Sequence, residues 1–215
     1  YVNSAYVDGG ANIVNDSGSD LFIDSLVNNG TIDNSAVRGS GFEVGNVLNS
    51  GAITGTGDIQ IYGTFINESS GTLQQANINV ASTTASLISD ASSLTGNIHN
   101  AGTLVLTGGT NNNIISDFEG IYGDLLINGN VISNRNINQE NLTVSSGSSF
   151  VKTAVANFND TILNNGSITN NGFTSANRLI NNSGAVVDNY YIFELYEGGI
   201  NNGTITGSAG ILYID

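Results

Sequence analysis

Two stretches far apart in the chain carry nearly the same phrase: SLVNNGTIDN at 25–34 and GGINNGTITG at 198–207. Between them a loose Asn-x-Gly-[Thr/Ala/Ser]-[Ile/Leu/Val] pattern returns at Gly30 (NNGTI), Gly51 (NSGAI), Gly71 (SSGTL), Gly102 (NAGTL), Gly166 (NNGSI), Gly184 (NSGAV) and Gly203 (NNGTI). The first three markers are 21 and 20 residues apart, and the last three are 18 and 19 apart. Degenerate copies at Gly10, Gly129 and Gly147 extend the series, while the stretch between Gly71 and Gly129 is less regular. A return every 18–21 residues is the signature of a solenoid, in which one unit cannot bury its own apolar face and must stack on its neighbours.

The pattern inside each unit selects the kind of solenoid. Segments such as IQIYGTFIN (59–67), LVLT (104–107) and LTVS (142–145) tend toward the two-residue period of strands. No run of ten or more residues carries an amphipathic helical stripe, which disfavours leucine-rich and helical repeats. Asn-Gly pairs also mark hairpins, so a meander or sandwich is the competing reading. Hairpins do not explain why the same apolar position returns at nearly constant intervals, whereas parallel coils set like residues above like. Asn tolerates the left-handed backbone that corners demand and forms side-chain ladders between stacked strands. The chain has no Pro, as expected where nearly every N–H donates to the next coil.

The predicted fold is therefore all-β, a parallel β-helix of about ten or eleven coils and about 50 Å in length, occupying 1–215 as one domain. Its corners are assigned to Asn28, Gly30, Asn49, Gly51, Gly71, Asn100, Gly102, Gly129, Asn164, Gly166, Asn182, Gly184, Asn201 and Gly203.

Composition narrows the function. Eighteen acidic residues against four basic ones give a net charge of −14, which repels phosphate backbones and excludes nucleic acid as a partner. With no Cys there are no disulfides, thiolate metal sites or cysteine nucleophiles. No segment approaches the ~20 apolar residues of a spanning helix, so membrane insertion is not expected. The chain begins Tyr1-Val2-Asn3, without a starting Met or a signal-like segment, and reads as a mature or excised segment of a larger exported protein. Charged residues make up only 10%, leaving a surface rich in amides and hydroxyls, suited to weak multivalent contacts.

The phrases LVNNGTIDN (26–34), VLNSGAITGTGDIQIYGTFINESSGTL (47–73) and ILNNGSITNNG (162–172) resemble the repeats of large secreted bacterial adhesins, the filamentous-haemagglutinin-type exoproteins and autotransporter passenger domains. That resemblance implies a right-handed β-helix at the bacterial cell surface that contacts glycans or proteins. The Asn-Pro-Asn-Gly motif of two-partner secretion domains is absent, as is a C-terminal translocator-barrel pattern.

Candidate sites are few. His99 is the only histidine and reads as an exposed turn residue, with no second histidine or serine elbow to build a triad or zinc site. Asp8, Asp16, Asp20 and Asp24 offer oxygen ligands for Ca²⁺ but lack the grammar of a calcium loop, and a solvated acidic face is the simpler reading. Glu194 and Glu197 lie among Tyr190, Tyr191, Phe193 and Tyr196, which suits stacking on sugar rings. A glycosidase needs two carboxyls about 5–9.5 Å apart in a cleft, and a lyase wants cations; Arg38, Arg135, Lys152 and Arg178 are scattered. The expectation is a non-enzymatic adhesive or structural solenoid with no required cofactor, with self-association into a filament or layer and a polysaccharide-active β-helix as the alternatives.

Overall fold

The computed structural model describes residues 1–16, 19–35 and 41–215. The chain is 62% strand and winds into a β-solenoid of about 11 turns without α-helix among the described residues. Each turn contributes strands to three faces, and strands of successive turns pair in parallel. The first face stacks 4–7, 25–28, 46–49, 65–67, 86–89 and onward to 199–201. The second stacks Asn12–Asn15, Thr31–Asn34 and Ala52–Thr54, and later Gly109–Asn111 through Thr204–Thr206. The third stacks 21–23, 42–44, 59–61 and 77–80 and ends at Ile211–Ile214.

Alternation along each strand sends one side chain in two to the interior, so each inward position becomes a column running up the solenoid. One column on the first face reads Leu26, Val47, Phe65, Leu87, Leu104, Leu125, Leu142, Ile162 and Leu179, all within 4% of complete burial. Each such side chain contributes about 1.5–3 kcal/mol. Phe42, Phe150 and Phe193 fill the other two faces and are equally buried.

The next inward column on the first face is polar. Asn28 donates through Nδ2 to Asn49 Oδ1 at 2.7 Å, and Asn49 to Asn67 Oδ1 at 2.7 Å; Asn67 donates to Ser89 Oγ at 3.0 Å. Three apolar rungs follow, Leu106, Ile127 and Val144, after which Asn164, Asn181 and Asn201 resume the ladder at 2.8 Å per step. Asn28, Asn67 and Asn164 also tie their own corners, Asn67 by donating to the Gly71 carbonyl at 3.2 Å. Asn28 Oδ1 accepts from Gly30 N at 3.2 Å and Asn164 Oδ1 from Gly166 N at 3.1 Å. Burial of an unpaired amide costs about 1–3 kcal/mol; among the described residues every buried side-chain N or O has a partner.

These bonds explain the recurring Asn-x-Gly phrase. The Asn is an inward rung, the intervening residue turns outward, and the Gly is where adjacent coils come too close for a side chain. A Cβ on Gly51 would sit 2.1 Å from the Gly30 carbonyl oxygen. Gly184 is different: nothing lies within 4 Å, but its φ of +83° is left-handed. In that copy the buried rung is Asn181, while Asn182 faces outward and donates to Asn165 Oδ1 at 2.6 Å.

The irregular interval near Gly102 also has a structural cause. Gly30, Gly51, Gly71, Gly129, Gly166 and Gly203 turn the chain from the first face to the second, whereas Gly102 turns it from the third to the first. Asn100 is a third-face rung whose Oδ1 accepts from Gly102 N at 3.1 Å, so the same phrase serves two different corners.

Candidate functional site

Outward side chains form columns as regular as the inward ones. On the first face the column between the two inward ones is apolar almost throughout. Tyr6 lies beneath Val27, followed by Leu48, Ile66, Ile88 and Val105 in register. Leu126, Thr143, Leu163, Ile180 and Ile200 continue it to the last turn of that face. Ten of these eleven rungs are aliphatic or aromatic. They are half-buried by their neighbours in the column or openly exposed, Leu48 by 37% and Ile200 by 55%. Beside them runs a small polar column, Ser25, Asn46, Thr64, Ser86, Thr103 and Asp124, then Asn141, Thr161 and Arg178. The two columns line shallow grooves of about 440 Å³, over Thr103–Leu163, and about 240 Å³, over Ser25–Ile66.

The third face has the opposite character. Its outward column runs Glu43, Gln60, Asn79, His99, Ser116, Asn138, Asn157, Ser175 and Glu194, with no apolar rung between the two glutamates; Asn79 and Ser175 are buried, at 6% and 8% exposure, and the other seven are half-buried. Its members are tied to one another and to the adjacent column. His99 Nδ1 meets Ser116 Oγ at 2.9 Å, His99 Nε2 lies 3.4 Å from Asn77 Oδ1, and Asn77 Nδ2 donates to Asp58 Oδ1 at 2.8 Å. Ser175 Oγ donates to Asn157 Oδ1 at 2.9 Å. The effect is a stiff strip of hydrogen-bonding groups that repeats at the coil spacing of about 4.8 Å.

His99 thus sits in the strand Leu94–Asn100, half-buried and hydrogen-bonded, rather than in an exposed turn. The serine, histidine and asparagine are consecutive outward groups, and the Ser116 hydroxyl also lies 3.3 Å from the Asp117 carbonyl to which it can donate. This is a row of linked rungs on a strand surface.

The aromatic candidates do not gather on one platform. Tyr190 and Tyr191 are exposed just before the strand Ile192–Leu195, and Tyr196 is exposed just after it, about 16 Å beyond Tyr191 along the chain. Phe193 points into the core. Tyr196 donates to Glu194 Oε2 at 3.2 Å, and burial followed by that carboxylate raises its phenol above the usual tyrosine value. Glu194, Tyr196, Tyr213 and Asp215 line a groove of about 160 Å³ at the end of the polar column, which Glu197 does not join. Tyr213 is the sugar-sized aromatic that sequence reading omitted, although its place one coil above Glu194 follows from the period.

Among the described residues no three acidic or histidine side chains gather around a metal-sized point. Asp8 Oδ1 caps Gly9 N at 2.8 Å, and Asp24 accepts from the Tyr1 hydroxyl. Arg38 lies outside the described residues. Arg178 pairs with Asp160 at 3.7 Å on the surface, and Arg135 lines a depression with Asn97, Asn112 and Asn113.

Lys152 is the unexpected residue. It occupies an inward rung of the second face and is only 2% exposed. Its Nζ donates to Asn170 Oδ1 at 2.9 Å and to the Phe173 carbonyl at 2.7 Å, and Asn170 in turn donates to Asn189 Oδ1 at 2.7 Å. No carboxylate offsets its burial, which pushes the amine down to about 7. Lys152 therefore extends an amide ladder from within and belongs to the scaffold.

Among the described residues no helix is long and apolar enough to cross a membrane. Searches against protein-family models, curated proteins and solved structures find no match for this chain.

Proposed function

We propose that this chain is a non-enzymatic, adhesive β-solenoid segment of an exported bacterial surface protein, and that its polar third face is the surface presented to extended glycans. The observation that carries this reading is the outward column from Glu43 to Glu194, amide- and hydroxyl-rich and spaced one rung per coil. Hydrogen-bonding groups on a rigid lattice suit a ligand that is itself a polymer. Each contact is weak, and affinity accumulates along the rod through effective concentration. The groove of Glu194, Tyr196, Tyr213 and Asp215 adds an aromatic edge at one end, where a sugar ring can stack. Net charge of −14 directs this surface toward neutral glycans rather than uronates or sulfated chains. The amide- and glycine-rich repeat grammar supports an extracellular setting through its resemblance to adhesin repeats. No cofactor enters the proposal.

The test is binding of the chain to neutral oligosaccharides of increasing length, alongside the triple variant Asn138→Ala, Asn157→Ala, Ser175→Ala. The expected result is affinity that rises with oligosaccharide length and falls at least tenfold in the variant. Binding that is independent of length, no binding across neutral glycans, or release of new reducing ends would overturn the proposal.

A further inference from the structure

The first face is the strongest feature that glycan binding leaves unused. A solvated strand face ordinarily alternates polar outside with apolar inside. Here the outward column is apolar at ten of eleven rungs, and the column beside it is short and mostly uncharged. In a chain of net charge −14, these two columns carry only Asp124 and Arg178. From this sparing of charge and from the area involved, we infer that the first face is a self-complementary interface that packs against the first face of a second copy, giving a side-by-side pair of rods.

The area argument selects the second copy. Eleven rungs at about 4.8 Å span about 50 Å, and the four-residue strands are about 13 Å across. Each copy would cover about 650 Å², or about 1,300 Å² for the pair, within the range of specific interfaces at about 1,200–2,000 Å². Two-fold pairing presents the same patch from both copies, so an apolar column meets an apolar column with matched spacing. Sheets packed in this way lie about 10 Å apart, close enough for the columns to interdigitate. The rods' acidic residues lie mainly elsewhere, so repulsion between copies is screened by salt while the apolar contact is not. The third face points away from the pair, and the inference holds whether or not that face binds glycan.

Light scattering coupled to size exclusion tests it. The chain is 22.2 kDa, and the expected result is a species of about twice that mass whose fraction grows with concentration and with NaCl. The triple variant Ile88→Thr, Val105→Thr, Leu126→Thr keeps strand-forming residues at outward positions and should be monomeric with an unchanged far-ultraviolet spectrum. Because the chain has no Cys, a single Val105→Cys substitution gives an independent readout. Val105 is the middle rung, and in either relative orientation of two fully overlapped rods it faces itself. Oxidation should therefore yield a covalent dimer, whereas Asn138→Cys on the third face should not. A chain that stays monomeric at all concentrations, as it would if the cover were a different protein or another part of a longer chain, overturns the inference. So does a dimer or fibre that persists in the triple variant, or equal cross-linking from Asn138→Cys.

Discussion

Replacing Lys152 by Met should remove most of the chain's gain in stability between neutral and mildly alkaline pH. The folded amine sits at about 7 because burial disfavours its charge, against 10.5 for an ordinary lysine. The unfolded chain therefore binds more protons across this window, and stability must rise with pH from about 7 to about 10.5. Below 7 both states hold the proton and the full cost of burying it is present; above 10.5 that cost is gone. Integrating the linkage relation between pH 7 and 9.5 gives about 3 kcal/mol of added stability for the native protein. Met keeps the volume and loses the titration; the Phe173 carbonyl gives up the Lys152 amine but keeps the Ala156 N–H at 2.9 Å, so it is not left unpaired. Asn170 Oδ1 retains the Thr174 hydroxyl at 3.0 Å. Urea titrations at pH 7, 8 and 9.5, followed by circular dichroism, give both curves. Taking the difference between the two proteins cancels the tyrosines and the carboxylates. Parallel curves, or a native protein that weakens as pH rises to 9.5, would refute the reasoning that Lys152 is a desolvated, unpaired rung.

Other substitutions test the ladders and the packing. Asn49→Ala leaves Asn28, Asn67 and the Thr72 carbonyl each short of a partner, and should cost about 3 kcal/mol in thermal denaturation; Asn201→Ala, at an exposed rung, should cost less than about 1 kcal/mol. Gly51→Ala drives a methyl group into the Gly30 carbonyl and should cost about 3 kcal/mol, more than Gly184→Ala, where only left-handed backbone is strained, at about 1–2 kcal/mol. Leu104→Ala should lose about 3 kcal/mol from the core, while Val105→Thr, one residue later and facing outward, should stay within about 0.5 kcal/mol when the protein is dilute enough to be monomeric.

Much of the architecture was legible because a solenoid repeats its local chemistry. One inward amide, one outward residue and one glycine recur wherever coils turn tightly, so the period could be read from NNGTI and its variants. The phrase records a corner without saying which corner. For that reason Gly102 entered the same series as Gly71, although it turns a different edge, and Asn182 stood in for the true rung Asn181. The apolar outward column was missed although its signal was present. In LVN, VLN, FIN, ILN and LIN, at 26–28, 47–49, 65–67, 162–164 and 179–181, two adjacent apolar residues precede the Asn rung. Alternation requires one of each pair to face outward. Lys152 was legible in the same way: it follows Phe150 by two, as Asn170 follows Ile168 and Asn189 follows Val187, which fixes it as a rung. The third-face strip was not legible, since it depends on coils of 17 to 22 residues falling into register across insertions that the marker spacing does not resolve.

The interrupted ladder on the first face carries a consequence for how the chain finds its fold. A column made only of Asn would look the same after sliding by one coil, and the growing solenoid would have several nearly equivalent ways to stack. Ser89, then Leu106, Ile127 and Val144, break that translational symmetry between Asn67 and Asn164. A slip of one coil would set Asn67 against Leu106 and take from its amide the Ser89 hydroxyl to which it donates, whereas Asn164 already sits against Val144 and donates onward to Asn181. The mismatch at Asn67 strands a buried polar group and separates the native stacking from its shifted competitors. The three apolar rungs work as a key cut into an otherwise uniform column, so that only one alignment of the coils fits.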